Sequence, residues 1–185
     1  MKLSKDYKYT VLCEDKLSQC YIRRFLMAQG ISGRKIIMLQ LPARGCGEQY
    51  VRCQFPKYLT TLRSRNFLSN VLVVSIDADT KSCTERNGQL DEMCRAVGVS
   101  ERSKVDKVLV FIPKRNIETW VKCFDGENID EIQDYAHFLR GHESDCSSAA
   151  DKMSEEFSNP SFTSDLSSLV YAHKEYSRVV SLQNL

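Results

Sequence analysis

The chain has 185 residues, with 42% hydrophobic and 27% charged residues and a formal net charge of +2. That length favours one domain with a single sizeable core, and no apolar run reaches the ~18 to 20 residues of a membrane span. The first ten residues, MKLSKDYKYT, lack the apolar block of a secretory signal, so the expected setting is the cytoplasm, with no membrane association.

The balanced charge hides a split. Residues 1–122 carry 22 basic against 12 acidic residues, whereas residues 123–185 carry 4 against 12. A polyanionic partner for the basic part is one reading, and attraction between the two parts is the other. None of the eight cysteines forms a CxxC pair, which speaks against a zinc knuckle, and without an export signal they are expected to be reduced.

In chain order, "YKYTVLCED" alternates like a strand and ends in Glu14 and Asp15. "KLSQCYIRRFLMAQG" has helical spacing in Leu17, Tyr21, Phe25 and Ala28, with Gly30 as its stop. "RKIIMLQLP" predicts a second strand closed by Pro42, followed by the glycine loop "ARGCGEQ". The next helical pattern, "EQYVRCQFPKYLTTLRSR", contains Pro56, which is expected to break or kink it. Leu68 to Ile76 reads as the third strand, "TERNGQLDEMCRAVG" as a helix weakened at Gly88, and "KVDKVLVFIP" as a fourth strand stopped by Pro113. "NIETWVKCF" predicts a short helix capped by Asn116. After Asp125 the stretches "DEIQDYAHFLR", "SSAADKMSEEF" and "TSDLSSLVYAHKEYSRVV" are all helix-like.

Alternating strands and helices predict an α/β fold, with a four-stranded, mainly parallel sheet covered by helices on both faces. The domain reading is an α/β unit over 1–124 and an acidic helical extension over 125–185 packed on it. Sites in such folds form at the carboxyl ends of strands. There the sequence places Glu14 after the first strand, Asp77 and Asp79 after the third, and Glu118 on the first turn of the helix after the fourth. Each acid alone could be a cap or turn residue. Together they repel unless a cation neutralises them, and hard oxygen donors suit Mg²⁺ or Mn²⁺. An extended backbone would aim Asp77 and Asp79 the same way.

A glutamate ending the first strand in "VLCED" and a DxD ending a later one in "SIDAD" resemble the TOPRIM domain of topoisomerases, primases and OLD-type nucleases. "IPKRNIETWV", with Glu118 beside an aromatic residue, is similar to a segment of small stand-alone TOPRIM-like proteins of prokaryotic defence and mobile elements. The resemblance covers about residues 8–124. It departs in Asp15, where such domains often carry a glycine or small residue, and the length leaves no room for a gyrase-type tyrosine domain or a primase zinc module. It implies a Rossmann-like fold and metal-dependent hydrolysis of a DNA or RNA phosphodiester, with an ATPase as the kind of protein partner that gates such effectors. On that basis Asp77 and Asp79 hold Mg²⁺ or Mn²⁺, Glu14 acts as general acid or base or ligates a second ion, and Glu118 completes the shell. Lys114 and Arg115 then stabilise charge on the phosphorane, or else form an ordinary solvated pair.

Arg44, Arg52, Lys57, Arg63 and Arg65 form either a phosphate track or a solvated helix face. The glycine loop matches neither a Walker nor a dinucleotide-binding pattern. Trp120 reads as core packing, with base stacking as the alternative. His137, His142 and His173 read as surface or packing residues. Two other functions compete: a TOPRIM-like module that binds nucleic acid or a partner without cutting, and a receiver-like phospho-acceptor domain using Asp77 and Lys114. The DxDx[TV] pattern of haloacid-type phosphatases is excluded, because Thr80 directly follows Asp79 and the strand is the third.

Overall fold

The computed structural model describes residues 1–41, 47–135 and 146–184. These form four strands, β1 (Lys8–Cys13), β2 (Ile36–Met38), β3 (Asn70–Ser75) and β4 (Val108–Phe111). Six α-helices accompany them: α1 (Lys16–Ala28), α2 (Gly47–Ser64), α3 (Cys83–Ala96), α4 (Ile117–Asp125), α5 (Cys146–Ser158) and α6 (Ser167–Gln183). All strand pairs are parallel, in the order β2-β1-β3-β4. The α/β class and the four-stranded sheet are as the sequence predicts.

Both faces of the sheet are buried, which is why its strands read as near-continuous apolar runs. Tyr9, Val11 and Cys13 of β1 join Val71, Val73, Leu109 and Phe111 in a core closed by α1, α4, α5 and α6. Leu12, Leu72, Val74, Val108 and Val110 face the other way, against Val51, Phe55 and Leu59 of α2 and Leu90 and Cys94 of α3. The C-terminal helices are part of the first core. Phe157 of α5 and Tyr176 of α6 meet Phe25 edge-on, with ring centroids 5.9 and 6.0 Å apart. Edge-to-face pairs of this kind add about 0.5–1.5 kcal/mol each beyond the area they bury.

Trp120 is fully buried and its indole N–H donates to Ser168 Oγ at 2.7 Å, so it packs the core and presents no face for a base. His173 lies in the same aromatic cluster. The outer edge of β4 is closed by α6, whose Arg178 guanidinium donates to the carbonyls of Lys104, Asp106 and Val108.

Two local expectations differ. Pro56 sits inside α2 without ending it, because its missing N–H costs one intrahelical bond while Phe55, Pro56 and Leu59 are held in the core. Residues 130–135, the start of the predicted helix "DEIQDYAHFLR", are not helical. Asp130 instead turns the chain by accepting from the N–H groups of Ile132 and Gln133, at 2.8 and 2.9 Å. Glu131 then reaches the start of α6, accepting from Ser167 N at 3.1 Å and Ser168 N at 2.9 Å. Pro42, Arg44, most of the glycine loop, His137 and His142 lie outside the described residues. Among the described residues no helix is long and apolar enough to cross a membrane, and no disulfide joins the cysteines.

The strand order creates one topological switch point. From β1 the chain moves by α1 to β2 on one side, and from β3 it moves by α3 to β4 on the other. Connections that leave adjacent strands in opposite directions part at the carboxyl edge, where folds of this class commonly place their sites. Glu14 and Asp77 follow those two strands.

Candidate functional site

The register sets Cys13 beside Ser75 and Ser75 beside Phe111, so the acids that follow these strands share one edge of the sheet. Glu14 is the residue after β1. Its neighbour Asp15 is the N-cap of α1, where its carboxylate accepts from Ser18 N at 2.7 Å. The departure from a small residue at position 15 therefore has a local cause. Glu14 itself accepts a hydrogen bond from the Asp77 N–H, which joins the ends of β1 and β3.

Glu14 and Asp77 are both half-buried. Burial raises the Glu14 carboxyl to about 7, and Asp15 and Asp79 add to the rise, while the Asp77 N–H and Arg86 oppose it. Burial also pushes Asp77 well above the usual carboxylate range, reinforced by Glu14, Asp15, Glu118 and Asp79. Asp77 Oδ1 is shut off from solvent and accepts no hydrogen bond. Such an oxygen costs free energy unless something electropositive reaches it. Glu118, on the first turn of α4, is also half-buried, and burial raises its carboxyl too.

Asp79 has a different environment from Asp77. β3 ends at Ser75, and Asp79 takes a left-handed conformation with φ of 53°, so strand alternation does not carry through to it. Its side chain is 60% exposed and its Oδ2 receives Arg86 Nη2 at 2.5 Å. Arg86 belongs to the buried stripe Cys83, Arg86, Leu90 and Cys94 of α3 and is itself only 1% exposed. The same guanidinium donates to Glu48, in the first turn of α2, and to Gln89 Oε1 at 2.9 Å.

The loops after β3 and β4 are fastened together. Ala78 N donates to Pro113 O at 2.9 Å and Arg115 N to Asp79 O at 3.2 Å. Arg115, like Asp79, is left-handed, with φ of 66°, and two non-glycine residues in that region mark a backbone held against its preference. Lys114 donates through Nζ to the carbonyls of Thr80 and Lys81, so it too ties one loop to the other.

The basic residues do not gather at the acids. Arg52 pairs with Glu48 at 2.8 Å, and Lys57 is exposed, over the Tyr58 ring. Arg63 anchors Asp106 at 2.7 Å and the Ser100 and Glu101 carbonyls, and Arg65 is exposed just beyond α2. At ~1.5 Å per residue, Arg63 lies about 24 Å along α2 from Gly47, towards the opposite edge of the sheet. Arg115 reaches the Asp79 carbonyl only through its backbone N–H, and its guanidinium lies 3.9 Å from Asp134. Arg44 lies outside the described residues.

Sequence reasoning missed Arg86 and Glu48. An arginine on the apolar stripe of α3, between Cys83 and Leu90, was the available signal. Among the described residues no cluster of three or more His, Cys, Asp or Glu side chains is arranged to hold a metal ion. Glu14 and Asp77 are the two acids joined directly at this edge, through the Asp77 N–H. Magnesium commonly takes one or two protein carboxylates and completes its shell with water and substrate phosphate, so a paired donor set with one orphaned oxygen fits such an ion. Comparison with protein-family models, with curated proteins and with solved structures finds no match to the chain.

Proposed function

We propose that the protein is a metal-dependent phosphodiesterase acting on DNA or RNA, of the TOPRIM type that its strand-end motifs resemble. One observation carries the reading: Asp77 presents a buried oxygen without a hydrogen bond beside a glutamate whose proton is held to about neutrality. Two such acids at a switch-point crevice are unfavourable for stability alone and useful for binding a divalent cation.

Glu14 and Asp77 are the residues that hold Mg²⁺ or Mn²⁺ in this reading. A bound ion would supply a Lewis acid for the phosphate and lower the pKa of a water molecule. The chain's own groups do the rest. The N-terminus of α2, which abuts Glu14 at Gly47, adds a positive dipole end that favours a phosphate over a neutral ligand. Glu118 keeps its proton more tightly than an ordinary glutamate, the property required of a general acid towards the leaving oxygen.

The test is to incubate the purified protein with plasmid, single-stranded DNA and tRNA, in Mg²⁺, Mn²⁺ or chelator, beside Asp77→Asn and Glu14→Gln. Metal-dependent cleavage is expected, reduced at least about 100-fold in both variants, the scale on which lost metal ligation and proton transfer act. Absence of both cleavage and metal binding in the wild type, under every condition, overturns the reading.

A further inference from the structure

We propose that Arg86 is a positioning residue of this site, claiming Asp79 as its counter-ion and tying the β3–α3 loop to the first turn of α2, so that Asp77 and Glu14 alone are left to bind a cation. The inference rests on the reading of the crevice as a cation site and divides its two aspartates into different tasks.

The argument begins with burial. A guanidinium that is 1% exposed is costly to desolvate unless its partners are well placed. Arg86 has them at both terminal nitrogens, while its Nε–H is buried without a partner. Nη2 faces Asp79 Oδ2 at 2.5 Å and Ala78 O at 3.4 Å, and Nη1 faces Glu48 and Gln89. The planar fork of arginine holds two carboxylates at a fixed separation and orientation, which the compact, freely rotating ammonium of lysine does not.

Each partner belongs to one wall of the crevice. Asp79 is two residues past Asp77, in the loop that also offers Asp77 N–H to Glu14. Glu48 follows Gly47, where a β-carbon would stand 2.8 Å from Glu14 Cβ. Arg86 thus fixes the distance between the wall carrying Asp77 and the wall pressed on Glu14. The left-handed backbone of Asp79 turns its carboxylate to the guanidinium. With Oδ2 of Asp79 held by the guanidinium, a cation at this edge could draw on that carboxylate through its other oxygen alone.

Mn²⁺ titration followed by electron paramagnetic resonance separates the two aspartates. Asp77→Asn is expected to weaken Mn²⁺ binding by at least 30-fold, and Asp79→Asn by less than about threefold. Cleavage by Asp79→Asn falls through kcat, with KM nearly unchanged. A urea-unfolding double-mutant cycle in metal-free protein, using Asp79→Asn and Arg86→Lys, is expected to show strong non-additivity. Arg86→Lys is the milder variant, and it keeps the cycle measurable should Arg86→Met fail to fold. Equal loss of Mn²⁺ affinity in the Asp77 and Asp79 variants overturns the proposal, as does additivity in the cycle. If the wild type binds no Mn²⁺, the cation reading falls by itself, and the metal-free cycle still decides whether Arg86 and Asp79 are paired.

Discussion

Gly47 lies against Glu14 so closely that a β-carbon at position 47 would stand 2.8 Å from Glu14 Cβ and 3.2 Å from its carbonyl oxygen. Neither contact is the loose end of a side chain, so backbone would have to move. Gly→Ala in a helix ordinarily stabilises by up to about 1 kcal/mol. Here Gly47→Ala is expected to destabilise instead, by about 1–3 kcal/mol, and to weaken Mn²⁺ binding by pushing α2 away from the crevice. Urea unfolding and a Mn²⁺ titration on the same preparation check both halves. A stabilised variant with unchanged affinity contradicts the close approach.

The Glu14 carboxyl gives a pH dependence of definite sign. Its folded value is raised to about 7, above the ~4.3 of an unfolded chain. The stability this group contributes is therefore complete below the unfolded value and disappears as pH rises through 7. Metal-free wild-type protein should lose more stability than Glu14→Gln between pH 5 and 8, by at most about 3 kcal/mol. Saturating Mg²⁺ should restore what is lost at pH 8, because a ligand bound only by the folded state stabilises it. Calorimetric melting across that range, with and without Mg²⁺, is the measurement. Parallel curves for the two proteins would remove Glu14 from the coupled pair.

Asp77→Asn keeps the shape of the side chain and removes its charge. In metal-free protein at pH 8 it should raise stability by about 1–2 kcal/mol, since a buried carboxyl without a hydrogen bond on Oδ1 is relieved. The same substitution should abolish the Mg²⁺-induced rise in melting temperature. Gain in one condition and loss in the other is the signature of a residue kept for binding. A variant less stable than wild type without metal would show that Asp77 serves the fold.

Glu131 caps a helix that starts 36 residues further on, accepting from both Ser167 N and Ser168 N. Glu131→Ala should cost about 1 kcal/mol, the usual value of a lost helix cap, while Mn²⁺ affinity at the crevice stays the same. Chemical unfolding alone reads it out. An unchanged midpoint would mean that water replaces the carboxylate.

Much of this architecture was legible in the sequence because parallel strands bury both faces. The runs around Val11, Val73 and Val110 had no other use than a covered sheet, and the acids that close them could only lie along its carboxyl edge. The pairing of Glu14 with Asp77 follows from the strand order, which a single sequence does not disclose. The turn of Asp79 towards Arg86 was hidden for a more local reason. Alternation reports side-chain direction only while the backbone stays extended, and β3 stops two residues before Asp77. Glu131 was invisible for want of proximity: a cap supplied from 36 residues away leaves no spacing signature. Pro56 misled because helix propensity is a weak prior against tertiary packing.

Arg178 covers the start of β4, occupying the Val108 carbonyl and those of Lys104 and Asp106 just before the strand. The opposite border of the sheet, β2, is only three residues long. A sheet so bounded offers an incoming strand little to template on at either margin, a protection against edge-to-edge aggregation. Self-association by sheet extension is thereby disfavoured. The helices and loops are then the larger part of the surface left for contacts with other molecules.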